Sequence, residues 1–269
     1  MDKEQRKELL LAAIKAVLDA GQEILKVYHS DDFEVQLKSD DSPLTLADRM
    51  AHEAIAAVLE PLGIPMLSEE GKELSFEERK DWNTLWIVDP LDGTKEFIKR
   101  NDEFTVNIAL VQNNQPVCGV IYVPVYRQLY VGDLELGAFR WKEIQEWKGS
   151  LDDLISSGES LPVAHETDAY TMVGSRSHMN AETKAFIDQL KEENGNVEFV
   201  SKGSSLKLCM IAEGLADVYP RFAPTMEWDI AAGQAIVEAA GYSVRLHNSP
   251  ESLKYNKEDL TNPWFIAGR

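Results

Sequence analysis

Two aspartates follow directly after an apolar run in the first half of the chain. The run LWIV is continued by Asp89-Pro90-Leu91-Asp92-Gly93-Thr94. Proline and glycine are expected to stop the strand and force a turn, so that Asp89 and Asp92 converge instead of alternating across a sheet. Hard divalent cations prefer carboxylate oxygens, so this strand end is a candidate metal site. A surface turn in which Asp92 caps the next helix would explain that residue alone.

A short helix is predicted directly after the second aspartate. Gly93 and Thr94 open the run TKEFIKR, whose free backbone N–H groups and helix dipole would receive a phosphate oxygen. The predicted metal site and the predicted anion site would then adjoin.

Three further carboxylates are weak signals when each is taken alone. Glu69 and Glu70 follow a short predicted strand, and adjacent glutamates usually form solvated surface. Asp229 begins an apolar helix, where an acidic residue ordinarily compensates the helix dipole. A ligand role for them is inferred only from their combination with Asp89 and Asp92.

These acidic motifs occur in an order that resembles a known family. A Glu-Glu pair, then DPLDGT, then a distant Trp-Asp that opens a helix resemble the inositol monophosphatase-like, lithium-sensitive phosphatases over nearly the whole chain. Further runs look like the 3′(2′),5′-bisphosphate nucleotidases within that group. These runs are KSDDSPLTLAD, DGTKEF, VGSRSH, KGSSLKLC and YPRFAPTMEWD.

The resemblance implies a metal centre. It implies that two or three Mg²⁺ ions are bound and that Li⁺ and Ca²⁺ inhibit. The implied ligands are Glu69, Asp89, Asp92, Asp229 and the backbone carbonyl of Leu91.

The resemblance also implies how water attacks the phosphate. Asp48 and Thr94 would orient and deprotonate the attacking water, with Glu69 in the catalytic set as well. The metals would lower the pKa of that water and neutralise the phosphate charge, so no phosphoenzyme is needed.

A substrate with two phosphates needs a second anion pocket. Ser204, Lys207 and Arg221 combine a hydroxyl, a point charge and a bidentate fork, Gly93 and Thr94 would contact the reacting phosphate, and His178 could contact sugar or base. The alternatives are a capped helix with an exposed lysine and, for Arg221, an interdomain salt bridge.

Composition restricts the partners. A net charge of −19 and a pI near 4.7 argue against a nucleic-acid polymer as partner.

Cys118 and Cys209 lie in apolar runs, which favours buried free thiols in a reducing cytoplasm. Neither a signal peptide nor an apolar run long enough to span a bilayer is found. Peripheral attachment at the inner membrane stays open, and the reading requires no oligomeric partner.

Helical periodicity dominates the first part of the chain. Leu10, Ile14, Val17, Gly21, Ile24 and Tyr28 recur at steps of four and three, which predicts one amphipathic helix. A second helix is predicted from Pro43 to Pro61 and contains Asp48.

The pattern then changes to strands. Antiparallel strands are predicted at 84–89, 104–111, 116–124 and 127–133, with a turn at Asn113-Asn114. Residues 151–166 are predicted to be irregular. After them strands are predicted at 170–173, 197–200, 217–219, near 244 and at 264–267, alternating with helices at 180–192, 204–213 and 229–240.

Alternation of this kind predicts an α/β fold, an α+β layered sandwich with α-β-α-β-α layers. Residues 1–150 would supply helices, an antiparallel sheet and most metal ligands. Residues 151–269 would supply Asp229 and the nucleotide contacts, and together the halves would form one catalytic unit.

The favoured function is hydrolysis of adenosine 3′,5′-bisphosphate to AMP and phosphate, with 3′-phosphoadenylyl sulfate as a second substrate. The nearest alternative is an inositol monophosphatase, and fructose bisphosphatase is a weaker one. A non-catalytic metal or nucleotide sensor is the alternative from another class, and the intact set of acidic residues argues against it.

Overall fold

The computed structural model describes residues 1–30, 36–37, 43–163, 169–175 and 179–269. Its helices are α1 (Lys3–Tyr28), α2 (Leu46–Leu59), α3 (Phe76–Arg79), α4 (Thr94–Ile98), α5 (Leu151–Ser157), α6 (Ala181–Asn194), α7 (Leu206–Glu213) and α8 (Glu227–Ala239). Its strands are β1 (Gln36–Leu37), β2 (Pro43–Leu44), β3 (Met66–Ser68), β4 (Thr84–Asp92), β5 (Thr105–Gln112), β6 (Gln115–Val123), β7 (Gln128–Asp133), β8 (Gly137–Trp141), β9 (Glu159–Leu161), β10 (Tyr170–Gly174), β11 (Val197–Ser201), β12 (Val218–Arg221), β13 (Ser243–Leu246) and β14 (Phe265–Gly268).

The main elements form alternating helical and sheet layers, as the α-β-α-β-α prediction requires. Helices α1 and α2 pack on one face of a sheet with the order β3-β4-β5-β6-β7-β8-β9. The opposite face of that sheet packs on α7 and α8. These helices also contact a second sheet, ordered β11-β10-β12-β14-β13, whose outer face is covered by α6. Helices α7 and α8 therefore lie between the sheets.

The first helix shows how closely the layers pack. Its predicted apolar face is fully buried, and Asp2 caps its N-terminus by accepting a hydrogen bond from the Gln5 amide. Gly21 faces Tyr122 of β6, and a Cβ atom at this position would lie 2.4 Å from the Tyr122 ring. A side chain larger than hydrogen would therefore push α1 away from the sheet.

Two predicted boundaries are wrong. Helix α2 begins at Leu46 rather than Pro43, because Thr45 and Asp48 cap each other's backbone and side chain at its N-terminus. Pro43 belongs to β2 instead. The stretch predicted to be irregular contains α5, and Ser150 caps this helix. Leu151 and Leu154 of α5 are buried in the hydrophobic core between the large sheet and helices α1 and α2.

The large sheet is longer than predicted and is not wholly antiparallel. Strands β8 and β9 extend it beyond the predicted strands, and β3 pairs with β4 in parallel. Asn113 and Asn114 form the predicted turn, both with positive φ. Since β9 pairs with β8, this sheet includes residues beyond 150. The division of the chain at residue 150 stays a prediction.

Candidate active site

Asp89 and Asp92 converge through a bulge in β4 rather than through a turn that ends the strand. Asp89 pairs with Asn107 and Asp92 with Thr105, so two residues of β4 oppose one residue of β5. In a regular strand, residues three apart point to opposite faces. The extra residue, next to Pro90 which has no N–H to donate, brings the two carboxylates to one side. The prediction that Pro90 stops the strand is therefore wrong, whereas β4 does end at Asp92, directly before Gly93. The predicted convergence of the two carboxylates is confirmed.

Asp229 reaches the same place from the other half of the chain. It lies in the first turn of α8, where its Oδ2 accepts a hydrogen bond of 2.8 Å from the Met226 amide. Within the described residues, Asp89, Asp92 and Asp229 each offer an oxygen, and these oxygens lie within 4.8 Å of one another. A strand end and a helix N-terminus together build this acidic cluster.

Burial and mutual repulsion disfavour the charged form of this cluster. Burial, followed by the nearby charges of Glu69 and Asp92, raises the pKa of Asp89 well above its ordinary value. Burial and the Asp92 charge raise the pKa of Asp229 to about 8. Converging carboxylate oxygens that repel each other in a desolvated site match the ligand set of a hard divalent cation. The acidic cluster could therefore hold a metal ion. The alternative, a turn in which Asp92 caps the next helix, is not observed, because Gly93 is the N-cap of α4 and no side chain caps it.

The other two predicted ligands lie beside the cluster. Glu69 directly follows β3, with its amide bonded to the Val88 carbonyl at 3.1 Å, and its charge acts on both Asp89 and Asp229. It is not among the three carboxylates that come within 4.8 Å of one another. The Leu91 carbonyl is 3.4 Å from the Thr94 hydroxyl. Both ligand roles stay predictions.

Asp48 and Thr94 are brought together from distant segments. Thr94 Oγ1 lies 3.2 Å from Asp48 Oδ1, while the other Asp48 oxygen accepts from the amide and hydroxyl of Thr45 at the start of α2. The Thr45 contacts fix the direction of the buried Asp48 carboxylate. A hydroxyl next to an oriented carboxylate is an arrangement that can position a water and accept its proton.

A cavity of about 160 Å³ joins the acidic cluster to the predicted substrate residues. Asp92 and Asp229 line it on one side, and four of the predicted contacts line it too: Gly93, Ser204, Lys207 and Arg221. Thus the structure brings predicted metal ligands and predicted anion contacts into one space. His178 lies outside the described residues.

Lys207 is buried, which contradicts the alternative of an exposed lysine on a capped helix. Its ammonium donates to the carbonyls of Ser204 at 2.5 Å and Lys202 at 3.3 Å, and it lies 5.7 Å from the centre of the Tyr219 ring. Burial lowers its pKa to about 8. A lysine held this way presents a poorly solvated positive charge to the cavity.

Ser204 and Gly93 fit closely together. The Ser204 hydroxyl lies 2.8 Å from the Asp92 carbonyl and 2.7 Å from the Glu103 carbonyl. Gly93 has φ +94°, and a Cβ atom there would lie 2.2 Å from Ser204 Oγ. Glycine is required at position 93 both for the backbone angle and for this contact.

Arg221 forms no ion pair with any residue that the structure describes, so the alternative of an interdomain salt bridge is not observed there. One guanidinium nitrogen donates to the Pro224 carbonyl at 3.0 Å. The buried Nε has no hydrogen-bond partner within the described chain. The guanidinium also interacts with the Tyr219 hydroxyl. Since a guanidinium carries five N–H donors, Arg221 retains donors for an anion in the cavity.

Sequence reasoning missed several residues that shape this site. Thr105, Asn107 and Ser205 form a buried polar network behind Asp92, and Glu103 holds the loop at residues 202–204. The one available signal was Asn107, a polar residue that interrupts the apolar strand TVNIALV. A buried amide inside a strand usually has a specific partner.

Two expectations about the whole chain are also answered. Cys118 and Cys209 are buried and free, as predicted. Among the described residues, the structure contains no helix that is long and apolar enough to cross a bilayer.

Comparison with known proteins identifies relatives over nearly the whole chain. The model of the inositol monophosphatase family matches residues 5–263. The 3′(2′),5′-bisphosphate nucleotidase CysQ of Shigella flexneri is 43% identical over 251 residues, which is 92% of this chain and 94% of the relative. The same-named protein of Escherichia coli strain K12 is 42% identical over the same shares.

Solved structures give the same result. The crystal structure of CysQ from Bacteroides thetaiotaomicron, described as a bacterial member of the inositol monophosphatase family, is 54% identical. It superposes with a TM-score of 0.91 and covers 97% of each chain. The suhB protein of Bartonella henselae, at 23% identity and a TM-score of 0.71, shares the fold, with 97% of this chain and 94% of that one covered.

Proposed function

The chain belongs to the inositol monophosphatase family, and on this premise we propose that it is a metal-dependent 3′(2′),5′-bisphosphate nucleotidase. Its reaction is the hydrolysis of adenosine 3′,5′-bisphosphate to AMP and phosphate, with 3′-phosphoadenylyl sulfate as a second substrate. The enzyme is a phosphoric monoester hydrolase. The relatives at 42–43% identity are 3′(2′),5′-bisphosphate nucleotidases, which supports this assignment.

One structural observation carries the substrate proposal. A single cavity is lined by the candidate metal ligands Asp92 and Asp229 and also by two cationic side chains, Lys207 and Arg221. A substrate with one phosphate needs the first pair of residues but gives no role to the second pair. A nucleotide with phosphates on both the 3′ and 5′ positions of its ribose uses both pairs, because each phosphate requires compensating charge.

We assign Mg²⁺ as the cofactor, with two or three ions at the acidic cluster, Glu69 and the Leu91 carbonyl. Bound Mg²⁺ supplies charge neutralisation at the phosphate and a lowered pKa of the attacking water. Asp48 and Thr94 orient that water, and Asp48 accepts its proton through the oxygen that faces Thr94 Oγ1.

The second phosphate is bound by the opposite wall. Lys207 supplies a point charge and Arg221 supplies donors in a fixed fork, while Ser204 holds the loop beside Gly93. Fixing the nucleotide at its remote phosphate places the scissile phosphate at the metal centre, which is a contribution of orientation.

The remaining parts of the proposal concern setting and assembly. All residues named for the reaction come from one chain, so no oligomeric partner is needed. A cytoplasmic location fits the two free buried cysteines. A nucleic-acid polymer is not proposed as a ligand, since the chain carries a net charge of −19.

The test is phosphate release with Mg²⁺ from adenosine 3′,5′-bisphosphate, AMP, inositol 1-phosphate and fructose 1,6-bisphosphate, measured side by side. Preference for the bisphosphate nucleotide is expected. Preference for inositol phosphate would keep the metal site and overturn the substrate. Absence of turnover with all of these compounds would favour a binding protein that senses metal or nucleotide.

A further inference from the structure

A chain of buried polar side chains lies directly behind the Asp92 carboxylate. Thr105 and Asn107 belong to β5, and Ser205 occupies the N-cap position of α7 without a side-chain capping hydrogen bond. Their exposures are 0%, 1% and 3%. Buried polar groups in a sheet interior are normally retained for the partners that they orient.

The hydrogen bonds between these side chains lead from Thr105 through Asn107 and Ser205 to Asp92. The Thr105 hydroxyl donates to Asn107 Oδ1 at 2.9 Å, which fixes the Asn107 amide. The Asn107 Nδ2 donates to Ser205 Oγ at 2.8 Å and lies 3.3 Å from Asp92 Oδ2. Because the Ser205 oxygen accepts this hydrogen bond, its hydroxyl proton is donated to Asp92 Oδ2, at 2.8 Å. A hydroxyl that accepts from an amide and donates to a carboxylate is fully oriented.

The hydrogen-bonded side chains contact one carboxylate oxygen of Asp92, Oδ2, and do not contact the other. Oδ2 is contacted by Ser205 and Asn107, with the Thr105 hydroxyl at 3.5 Å. Within the described residues, no donor contacts Oδ1. A carboxylate held by one oxygen cannot rotate freely, so the other oxygen has a fixed direction.

Ser205 and its neighbour Ser204 also connect the aspartate side of the cavity to the start of α7. Its hydroxyl lies 3.1 Å from the Asp229 carbonyl, and its neighbour Ser204 contacts the Asp92 carbonyl at 2.8 Å. Two residues further along α7, Lys207 lines the cavity. Residues 204–207 therefore contact two of the three candidate aspartate ligands and include a candidate phosphate contact.

We propose that Asn107 and Ser205 are positioning residues, which hold the Asp92 carboxylate in the orientation that a divalent cation needs and link it to the loop at Ser204. This inference rests on the proposed metal centre and deepens it. Groups that orient metal ligands are worth about 10- to 100-fold in metal affinity. Asn107 does not line the cavity, and Ser205, which does, directs its hydroxyl at Asp92 Oδ2. The effect of both residues is therefore exerted through the orientation of Asp92.

The test is Mg²⁺ binding to the full chain, measured by isothermal titration calorimetry without substrate. Ser205→Ala is expected to raise the dissociation constant for Mg²⁺ by about tenfold. Asn107→Ala is expected to do the same. The double variant should be less impaired than the product of the two effects, because both remove one hydrogen-bonded unit.

The chain offers a matched control in Ser252. Its hydroxyl accepts from the Gln234 amide at 2.8 Å, contacts the Glu238 carboxylate at 2.7 Å and contacts the Val244 carbonyl at 3.1 Å. This repeats the partners of Ser205, away from the acidic cluster. Ser252→Ala should leave Mg²⁺ affinity within about twofold of wild type.

A kinetic readout separates positioning from a structural role. Ser205→Ala should leave KM for the nucleotide nearly unchanged when KM is measured at saturating Mg²⁺. When Mg²⁺ is varied instead, the same variant should need a higher Mg²⁺ concentration for its half-maximal rate. Lys207→Met should show the reverse. If Ser205→Ala does not fold by circular dichroism, Ser205→Cys, of similar size but with a weak donor, carries the same expectation.

Unchanged Mg²⁺ affinity in both Ser205→Ala and Asn107→Ala would overturn the proposal, and so would an equal loss in Ser252→Ala. Failure of the nucleotidase assignment is distinguishable, because calorimetry needs no turnover. A wild-type chain that binds Mg²⁺ tightly but releases no phosphate would refute the function and leave the positioning role standing. A wild-type chain that binds no Mg²⁺ would overturn both.

Discussion

The two walls of the cavity carry opposite charges and are built by different means. The acidic wall consists of Asp92 and Asp229, and the buried Asp89 belongs to the same acidic cluster. Their positions follow from strand register and a helix start. The basic wall consists of Lys207 and Arg221, which are held by contacts with backbone carbonyls. Within the described residues, no ion pair joins the walls.

Burial favours the uncharged forms of the side chains at both walls. It raises the pKa values of Asp89 and Asp229 and lowers that of Lys207 to about 8. If these charges were paired with each other in salt bridges, they would not be available to a ligand. The separation teaches that each wall is built for a ligand of the opposite sign, a cation on one side and a phosphate on the other.

The largest effect is expected on the acidic wall. Asp89→Asn or Asp92→Asn should lower kcat by about 10³-fold or more, because a metal ligand supplies several kcal/mol of transition-state stabilisation. The fold should persist, since an amide keeps the size and removes the repulsion. Circular dichroism and thermal unfolding in EDTA check the fold, and retained turnover in either variant would refute the metal centre.

Lithium should act on the same wall. Li⁺ at millimolar concentration is expected to inhibit phosphate release by occupying one Mg²⁺ position, and Ca²⁺ should inhibit because it tolerates a looser ligand geometry. The assay is phosphate release at several Mg²⁺ concentrations. Sodium chloride at equal ionic strength is the control, and insensitivity to both ions would count against a shared metal site.

Lys207→Met tests the basic wall alone. Loss of a charge-assisted contact to phosphate should raise KM for adenosine 3′,5′-bisphosphate by about 10- to 100-fold. Hydrolysis of adenosine 3′-monophosphate, which lacks the second phosphate, should change far less. Equal losses with both substrates would show that Lys207 does not select the second phosphate.

The basic wall should also respond to pH. Burial lowers the pKa of Lys207 to about 8 from an ordinary value of 10.5. The ammonium that attracts phosphate is therefore present below pH 8 and is lost as pH rises through 8, so affinity for the bisphosphate should fall by up to about tenfold per pH unit above it.

Measuring KM between pH 7 and about 9.5 tests this expectation, because that range spans the lowered pKa. The Lys207→Met variant is the control, and its KM should not show the same rise. The same rise in that variant would assign the pH dependence to another group.

The smallest effect is expected at the loop that supports the basic wall. Glu103 accepts from the Gly203 amide at 2.8 Å and pairs with Lys202 at 3.1 Å, both partly exposed. Glu103→Gln keeps the first contact and loses the ion pair, so KM should rise only a few-fold, as exposed pairs contribute about 0.2–1 kcal/mol. Asp152→Asn, which breaks the exposed Lys7–Asp152 pair at 2.9 Å, is the matched control and should not alter KM.

Much of the architecture could be predicted from local patterns. The 3.6-residue periodicity of residues 10–28 gave α1 because a helix face must be apolar throughout to pack on a sheet. The start of α2 was predicted at Pro43 from proline, and α5 was predicted to be irregular from its polar composition. Both predictions are wrong, because capping by Thr45 and by Ser150 determines where these helices begin. Strands β8 and β9 were missed as well, because their pairing partners are what stabilises short strands.

The carboxylates, their order and the hydroxyl and cationic residues that accompany them can be read from the amino-acid sequence, because residue type and spacing are local properties. The bulge that brings Asp89 beside Asp92, the burial of Lys207 on α7 and the contact of Asn107 with Ser205 behind Asp92 are visible only in the folded chain. Strand register, desolvation and contacts between distant segments arise only when the layers pack, so no local pattern encodes them.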